Sequence, residues 1–137
     1  DIKTINHYIE HLAYRYLDYH ESKKENRILT LISQVKDFID KNICDPNFST
    51  NCVSDEFDLS STHLSRLFKS YETYSVSEYI TISRLDRACN LLVNTDKSIK
   101  DISKDCGIIN TPYFYTVFKK HFDCSPSQYR KTNKVKK

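Results

Sequence analysis

Apolar side chains return every three or four positions along most of this chain, the spacing of amphipathic helices rather than the alternation of strands. Ile5, Ile9, Leu12, Tyr16 and Tyr19 form the first such stripe, close to the a/d seam of a coiled coil. Two heptads are too few to specify a coiled coil, so the segment reads as a linker helix or the last helix of an upstream domain. The polar run Glu21-Ser22-Lys23-Lys24-Glu25-Asn26 then reads as a joint. Ile28, Leu31, Ile32, Val35, Phe38 and Ile39 make the next stripe, stopped by Asn42 through Pro46.

Beyond that point the pattern repeats. At an offset of 50, Leu64, Phe68, Lys69, Ser75, Ser77 and Tyr79 match Phe114, Phe118, Lys119, Ser125, Ser127 and Tyr129. Slightly upstream the offset is 49, with Val53, Ser54, Phe57 and Leu59 matching Ile102, Ser103, Cys106 and Ile108. The extra residue falls around Ile109 and Asn110, where a turn meets a helix and insertions are tolerated. Two copies of one motif carry more weight than a single match.

Each copy reads as a short helix, a tight turn and a longer helix, the helix-turn-helix pattern. In the second copy Ser98, with Asp101 three residues on, predicts a capped helix start, and the helix runs to Cys106. Gly107 then supplies the left-handed residue of the turn, and Asp58 is its counterpart in the first copy. The next helix is expected to open with Thr111 as N-cap and Pro112 at the first helical position. The longer helices span about 61–72 and 111–122, with apolar stripes Leu64, Leu67, Phe68, Tyr71 and Phe114, Val117, Phe118, His121/Phe122. Between the copies, Val76 to Asn94 predicts a connecting helix about 28 Å long, against roughly 34 Å for one turn of B-DNA.

The faces opposite the stripes present Thr62, Ser65, Arg66 and Lys69 in one copy, and Tyr113, Tyr115, Thr116, Lys119 and Lys120 in the other. No carboxylate lies between Ser61 and Tyr71, or between Asn110 and Phe122. Phosphate repels carboxylates, whereas hydroxyls and guanidinium groups bond base edges, so these faces point to DNA.

Composition narrows the field. One Gly in 137 residues cannot build the glycine-rich loops of nucleotide folds, and three Pro argue against a turn-rich sandwich or barrel. Ten Tyr and seven Phe exclude a disordered chain. The five Cys never form CxxC and read as small buried hydrophobes of a reducing cytoplasm, with neither disulfides nor zinc. No apolar run is long enough for a membrane span. The chain begins at Asp1 and contains no Met, which reads as a C-terminal piece of a longer protein. Net charge is only +3, yet residues 110–137 hold seven Lys/Arg and a single acid, Asp123. Lys131 to Lys137 read as a basic tail, and the acids Asp37, Asp40, Asp45, Asp55, Glu56 and Asp58 are expected to lie away from DNA.

From about Ile28 to Arg130 the chain resembles the DNA-binding domain of AraC/XylS-type transcription regulators. The resemblance rests on DLSSTHLSRLFKS, SEYITISRLDRACNLL, SIKDISKDCGI and TPYFYTVFKKHFDCSPSQYRK. It implies an all-α fold of about seven helices, two helix-turn-helix subdomains joined by a long linker helix, plus an N-terminal helix from an upstream region. Residues 1–27 would be that linker, 28–75 the first motif, 76–94 the linker helix, 95–131 the second motif and 132–137 the tail. It implies base reading by Thr62, Ser65 and Arg66 in one groove and by Thr111, Tyr113 and Thr116 in the next. Lys69, Tyr115, Lys119 and Lys120 would contact phosphates. The implied protein is a bacterial, cytoplasmic regulator that activates transcription, with no cofactor, metal or catalytic residue. Its partners would be double-stranded DNA, RNA polymerase and a second copy joined through the upstream region, with no membrane contact.

The chain departs from that pattern at three places. Thr116 stands where the family usually has Arg, and Thr73 and Asp123 where it usually has Gly, so stiffer corners are expected. Two rival readings also follow from the residues. His7-Tyr8-Ile9-Glu10-His11 matches the H-x-x-E-H pattern of zinc enzymes, without a third ligand. The same helices could instead serve a protein-interaction module that contacts RNA polymerase or a partner domain.

Overall fold

A computed structural model describes residues 1–134 and shows seven α-helices and no strand among them. They are α1 (Ile2–Asn42), α2 (Thr50–Glu56), α3 (Ser61–Tyr71), α4 (Val76–Asn94), α5 (Ile99–Asp105), α6 (Thr111–Phe122) and α7 (Pro126–Asn133). None is long and apolar enough to cross a membrane. The chain divides into two units, residues 1–34 and residues 35–137.

The first unit is helical from Ile2 onward and holds most of α1. The expected joint at Glu21–Asn26 is helix instead. Those six residues include no Gly or Pro, and Glu and Lys are good helix formers, so only the apolar stripe lapses there while the backbone continues. Side chains four apart support this stretch: the Tyr16 and His20 rings lie 4.2 Å apart, and the Lys23 ammonium sits 5.9 Å from the Tyr19 ring centre.

In the second unit, α4 is the shared wall. Its Val76 and Ile80 are buried at one end, and its Leu85, Ala88 and Leu92 at the other. The latter three join Ile102, Cys106, Ile108, Phe114 and Phe118 in one apolar cluster beneath the second motif. Leu64, Phe68, Phe114 and Phe118 are fully buried, so the apolar stripes of both longer helices are core as expected. At the stripe ends, Tyr71 and His121 stay exposed while Phe122 turns inward.

The sequence repeat is a structural repeat. Helix α2 ends with Asp58 at φ 54° and α5 with Gly107 at φ 94°, both left-handed. Leu59 N–H donates to the Ser54 carbonyl at 3.0 Å and Ile108 N–H to the Ser103 carbonyl at 2.9 Å. Those bonds satisfy carbonyls that a helix end otherwise leaves open. Ile109 is the inserted residue, lying between the turn and the cap of α6. Phe68 meets Tyr79 at 5.8 Å between ring centres, and Phe118 meets Tyr129 at 5.7 Å, the same pair 50 positions on. Ser75/Glu78 and Ser125/Gln128 close capping boxes at α4 and α7.

Three details depart from the sequence reading. The N-cap of α6 is Asn110, not Thr111: its Oδ1 accepts the Tyr113 N–H at 3.0 Å. Asn caps better than Thr, and Pro112, which has no N–H to satisfy, is equally at home one position further into the first turn. The two corners after α3 and α6 also differ. Asp123 takes the left-handed conformation at φ 59°, whereas the chain leaves α3 extended, with Glu72 at φ −121°. Finally, α7 runs on through Asn133, so Lys131 is helical; Lys136 and Lys137 of the expected tail lie outside the described residues.

Candidate nucleic-acid interface

The two longer helices place their polar faces outward because their apolar faces are locked. On α3, Leu64 and Phe68 are buried, which leaves Thr62, Ser65, Arg66 and Lys69 exposed. Ser65, Arg66, Lys69 and Ser70 line one shallow, open depression on that helix. On α6, burial of Phe114 and Phe118 leaves Tyr113, Tyr115, Thr116, Lys119 and Lys120 exposed, with Thr111 half-buried at the first turn. Tyr113 and Tyr115 keep 51% and 40% of their surface in solvent, high values for rings free to pack elsewhere. The Thr116 hydroxyl donates to the Pro112 carbonyl at 3.1 Å, so its oxygen presents acceptor lone pairs outward.

Each helix start is capped by a side-chain oxygen. Ser60 Oγ accepts from His63 N–H and Asn110 Oδ1 from Tyr113 N–H, which holds the first turn, and with it Thr62 and Tyr113, in place. Tyr113, Lys120 and His121 also border a cleft of about 480 Å³ lined in addition by Tyr74, just before α4, and by Ser77, Glu78 and Thr81 from the start of α4. Glu78 therefore brings a carboxylate near α6, which the local sequence of α6 does not reveal. That carboxylate is engaged in the capping box, accepting the Ser75 N–H.

Some of the expected acids have internal work. Asp40 accepts the Tyr79 hydroxyl at 3.2 Å, and Asp45 accepts the Asn47 N–H at 2.9 Å. Two of the C-terminal cations likewise serve the fold rather than a ligand. Arg130 donates to the carbonyls of Leu92, Thr95 and Lys97, and Lys134 pairs with Asp96.

Arg130 has a partner that sequence reasoning missed. Arg84 donates Nε–H to Ile43 and Nη2–H to Asp45 and Phe48 carbonyls, at 2.9, 2.9 and 3.0 Å. The carbonyls it grips sit 49 or 50 positions before those gripped by Arg130, so each motif has its entry loop clasped by one arginine. The arginines themselves are only 46 apart, one helical turn short of the repeat, so the offset hid the pair. Burial pushes the Arg84 guanidinium below its usual range, yet it stays charged at neutral pH.

Burial sets the character of two of the cysteines. Burial pushes the Cys89 and Cys106 thiols up to about 11, so both are protonated at neutral pH and poor nucleophiles. All five Cys are free thiols. The expectation of burial holds fully only for Cys106: Cys52, Cys89 and Cys124 are half-buried, and Cys44 is exposed in the turn after α1, where its neighbour Ile43 takes the inward position. His7, Glu10 and His11 are all exposed, and no group of three metal-ligating side chains occurs among the described residues.

Comparison with known proteins agrees with this geometry. A family model described as a helix-turn-helix domain matches residues 53–132. The xylose operon regulatory protein of Haemophilus influenzae is 38% identical over 78 residues, 57% of this chain and 20% of that protein. The melibiose operon regulatory protein of Escherichia coli is 30% identical over 118 residues, 86% of this chain and 39% of that one. AdaA of Bacillus subtilis, a bifunctional transcriptional activator and DNA repair enzyme, is 33% identical over 104 residues, 76% of this chain and 49% of its own length. The chain thus spans half or less of these curated relatives. Among solved structures, the C-terminal domain of AraT, a response regulator from Geobacillus stearothermophilus, superposes with a TM-score of 0.75. It is 28% identical, and the match covers 78% of this chain and 88% of that one. An AraC-type regulator from Chromobacterium violaceum superposes at 0.71 with 30% identity, covering 77% and 93%.

Proposed function

We propose, from the premise that this chain belongs to the AraC/XylS-type family of helix-turn-helix transcription regulators, that it binds double-stranded DNA sequence-specifically with α3 and α6 in successive major-groove segments. One observation carries this reading: the repeat presents two exposed, carboxylate-free helix faces, each rich in hydroxyl and cationic groups and each backed by fully buried apolar side chains. A groove lined by phosphate accepts such a face, and the base edges within it bond to hydroxyl and guanidinium groups. The connecting α4, with 19 residues, spans about 28 Å, close to the 34 Å or so of one DNA turn.

In this reading Thr62, Ser65 and Arg66 read bases from α3, and Thr111, Tyr113 and Thr116 read them from α6. Arg66 is suited to a guanine, whose two acceptors match a guanidinium. On α6 no arginine is available, so hydroxyl and ring contacts set the preference there. Lys69, Tyr115, Lys119 and Lys120 hold the backbone. The whole protein acts in the bacterial cytoplasm as a regulator without enzymatic activity in this segment. Its further partners are RNA polymerase and a second copy joined through the upstream region.

A salt titration tests the proposal. Binding to a site selected from random DNA should weaken steeply as salt rises, with a log–log slope of about −0.9 for each phosphate contacted. Binding that ignores salt, or that treats selected and random DNA alike, overturns it.

A further inference from the structure

We infer that Arg84 is a positioning residue that sets the one spacing at which this chain accepts its two base-reading segments, by fixing the second motif against the first. The inference rests on the DNA reading proposed above and adds which side chain holds α3 and α6 in step.

The helices of the two motifs have little direct hold on one another. Helix α2 lies on α3 and α3 on α4, while α5 lies on α6, α6 on α7, and both α5 and α7 on α4. With α4 as the only join, each motif is free to pivot about that helix. Arg84, from the middle of α4, supplies a second join. It bonds the Ile43, Asp45 and Phe48 carbonyls at 2.9, 2.9 and 3.0 Å, which fixes the loop that leads into α2. The turn of the second motif closes on the same atoms. A β-carbon on Gly107 would fall 2.2 Å from the Ile43 carbonyl oxygen and 2.9 Å from Arg84 Nε. One guanidinium thus ties the entry loop of the first motif to α4 at the point where the second motif rests on it.

The junction stands beside the proposed base readers. Arg84 borders a gap of about 240 Å³ together with Phe48 and Thr50 of the first motif and Ile108 and Tyr113 of the second. That gap leaves the start of α6 room to shift once the junction loosens. The repeat provides an internal comparison. Arg130 makes the same three-carbonyl clasp, but its acceptors Leu92, Thr95 and Lys97 lie at the end of α4 and in the loop before α5. None of them belongs to the first motif, so Arg130 steadies the second motif without tying it to the first. Lysine cannot stand in for Arg84, because an ammonium lacks the planar fork that reaches three carbonyls at once. One extra base pair between the segments moves the second by about 3.4 Å along the duplex and about 35° around it. Binding constellations tolerate only about 0.5 Å and 10–20°, so a fixed pair of helices cannot follow that change.

The test uses the full chain and a site selected from random DNA, lengthened or shortened by one base pair between its two segments. For the parent, either change should weaken binding about tenfold or more. Arg84→Gln and Arg84→Lys should reduce that penalty to about threefold or less, while single-base changes within each segment keep their effect. Arg130→Gln should lose thermal stability as Arg84→Gln does, yet keep the full spacing penalty. Gly107→Ala, which pushes the junction apart from the other side, should relax spacing with Arg84 intact and carries the test if the Arg84 variants do not fold. A parent chain that selects a site but tolerates the altered spacings overturns the inference and leaves the DNA reading standing. So do folded junction variants that keep the full penalty, which would assign spacing to α4 alone, and so does equal relaxation in Arg130→Gln. A chain that selects no site overturns the DNA reading itself, and the inference falls with it.

Discussion

Arg84 donates its Nε–H to the Ile43 carbonyl at 2.9 Å, and a β-carbon on Gly107 would stand 2.2 Å from that oxygen and 2.9 Å from that nitrogen. The turn of the second motif therefore closes directly over the clasp of the first. Gly107 is required twice, for its left-handed φ of 94° and for the room its missing side chain leaves. Gly107→Ala should cost at least about 2 kcal/mol, since backbone strain and displacement of the clasp add. Asp58→Gly, at the equivalent turn, should instead stabilise by up to about 1 kcal/mol. Urea unfolding of both variants checks the pair; equal effects would show that the two turns do not differ in packing.

Cap identity at α6 gives a second test. Asn110→Ala should lose about 1 kcal/mol of stability, because the Tyr113 N–H loses its acceptor. Thr111→Ala should change stability by less than about 0.5 kcal/mol, in keeping with an ordinary helical position. The reverse order would restore Thr111 as the cap.

These positions also show what the sequence made legible. Helix spans, the 49/50 repeat, the buried stripes and the left-handed turns at Asp58 and Gly107 follow from periodicity and backbone preference, which are local. The exposed faces of α3 and α6 follow from the same stripes, so the side chains proposed to meet DNA stand in solvent as expected, with Thr111 half-buried. What escaped were contacts between distant segments. Arg84 and Arg130 grip carbonyls 33 to 41 residues away, and nothing near either arginine marks it as structural rather than ligand-facing. Glu78 approaches α6 from another helix for the same reason. The helical joint at Glu21–Asn26 was missed differently: its propensity was sound, but periodicity was silent.

Alkaline pH probes the Tyr79 contact. Burial, reinforced by Asp40, pushes this phenol up to about 12 from 10.0. A folded-state pKa above the unfolded value favours folding while the group is protonated. That contribution is complete below about pH 10 and is lost as pH rises from 10 through about 12. Tyr79→Phe should be less stable than the parent near pH 8, and the gap should narrow between pH 10 and 12. A gap that stays constant over that range would remove the phenol from the account.

The interface residues separate by the kind of loss they produce. Arg66→Ala should cost roughly 1–3 kcal/mol on the selected site and relax preference at one or two base pairs. Lys119→Ala should weaken binding to all sequences alike and reduce the salt slope by about one. Competition binding against single-base variants at several salt concentrations distinguishes the two, and a sequence-selective effect of Lys119→Ala would contradict its phosphate role.

Hydroxyl-radical footprinting of the chain on a selected site tests most directly whether both helices enter the groove. Two protected patches should appear on one face of the duplex, about one helical turn apart. A single patch, or two patches on opposite faces, would contradict the placement of α3 and α6 in successive major-groove segments.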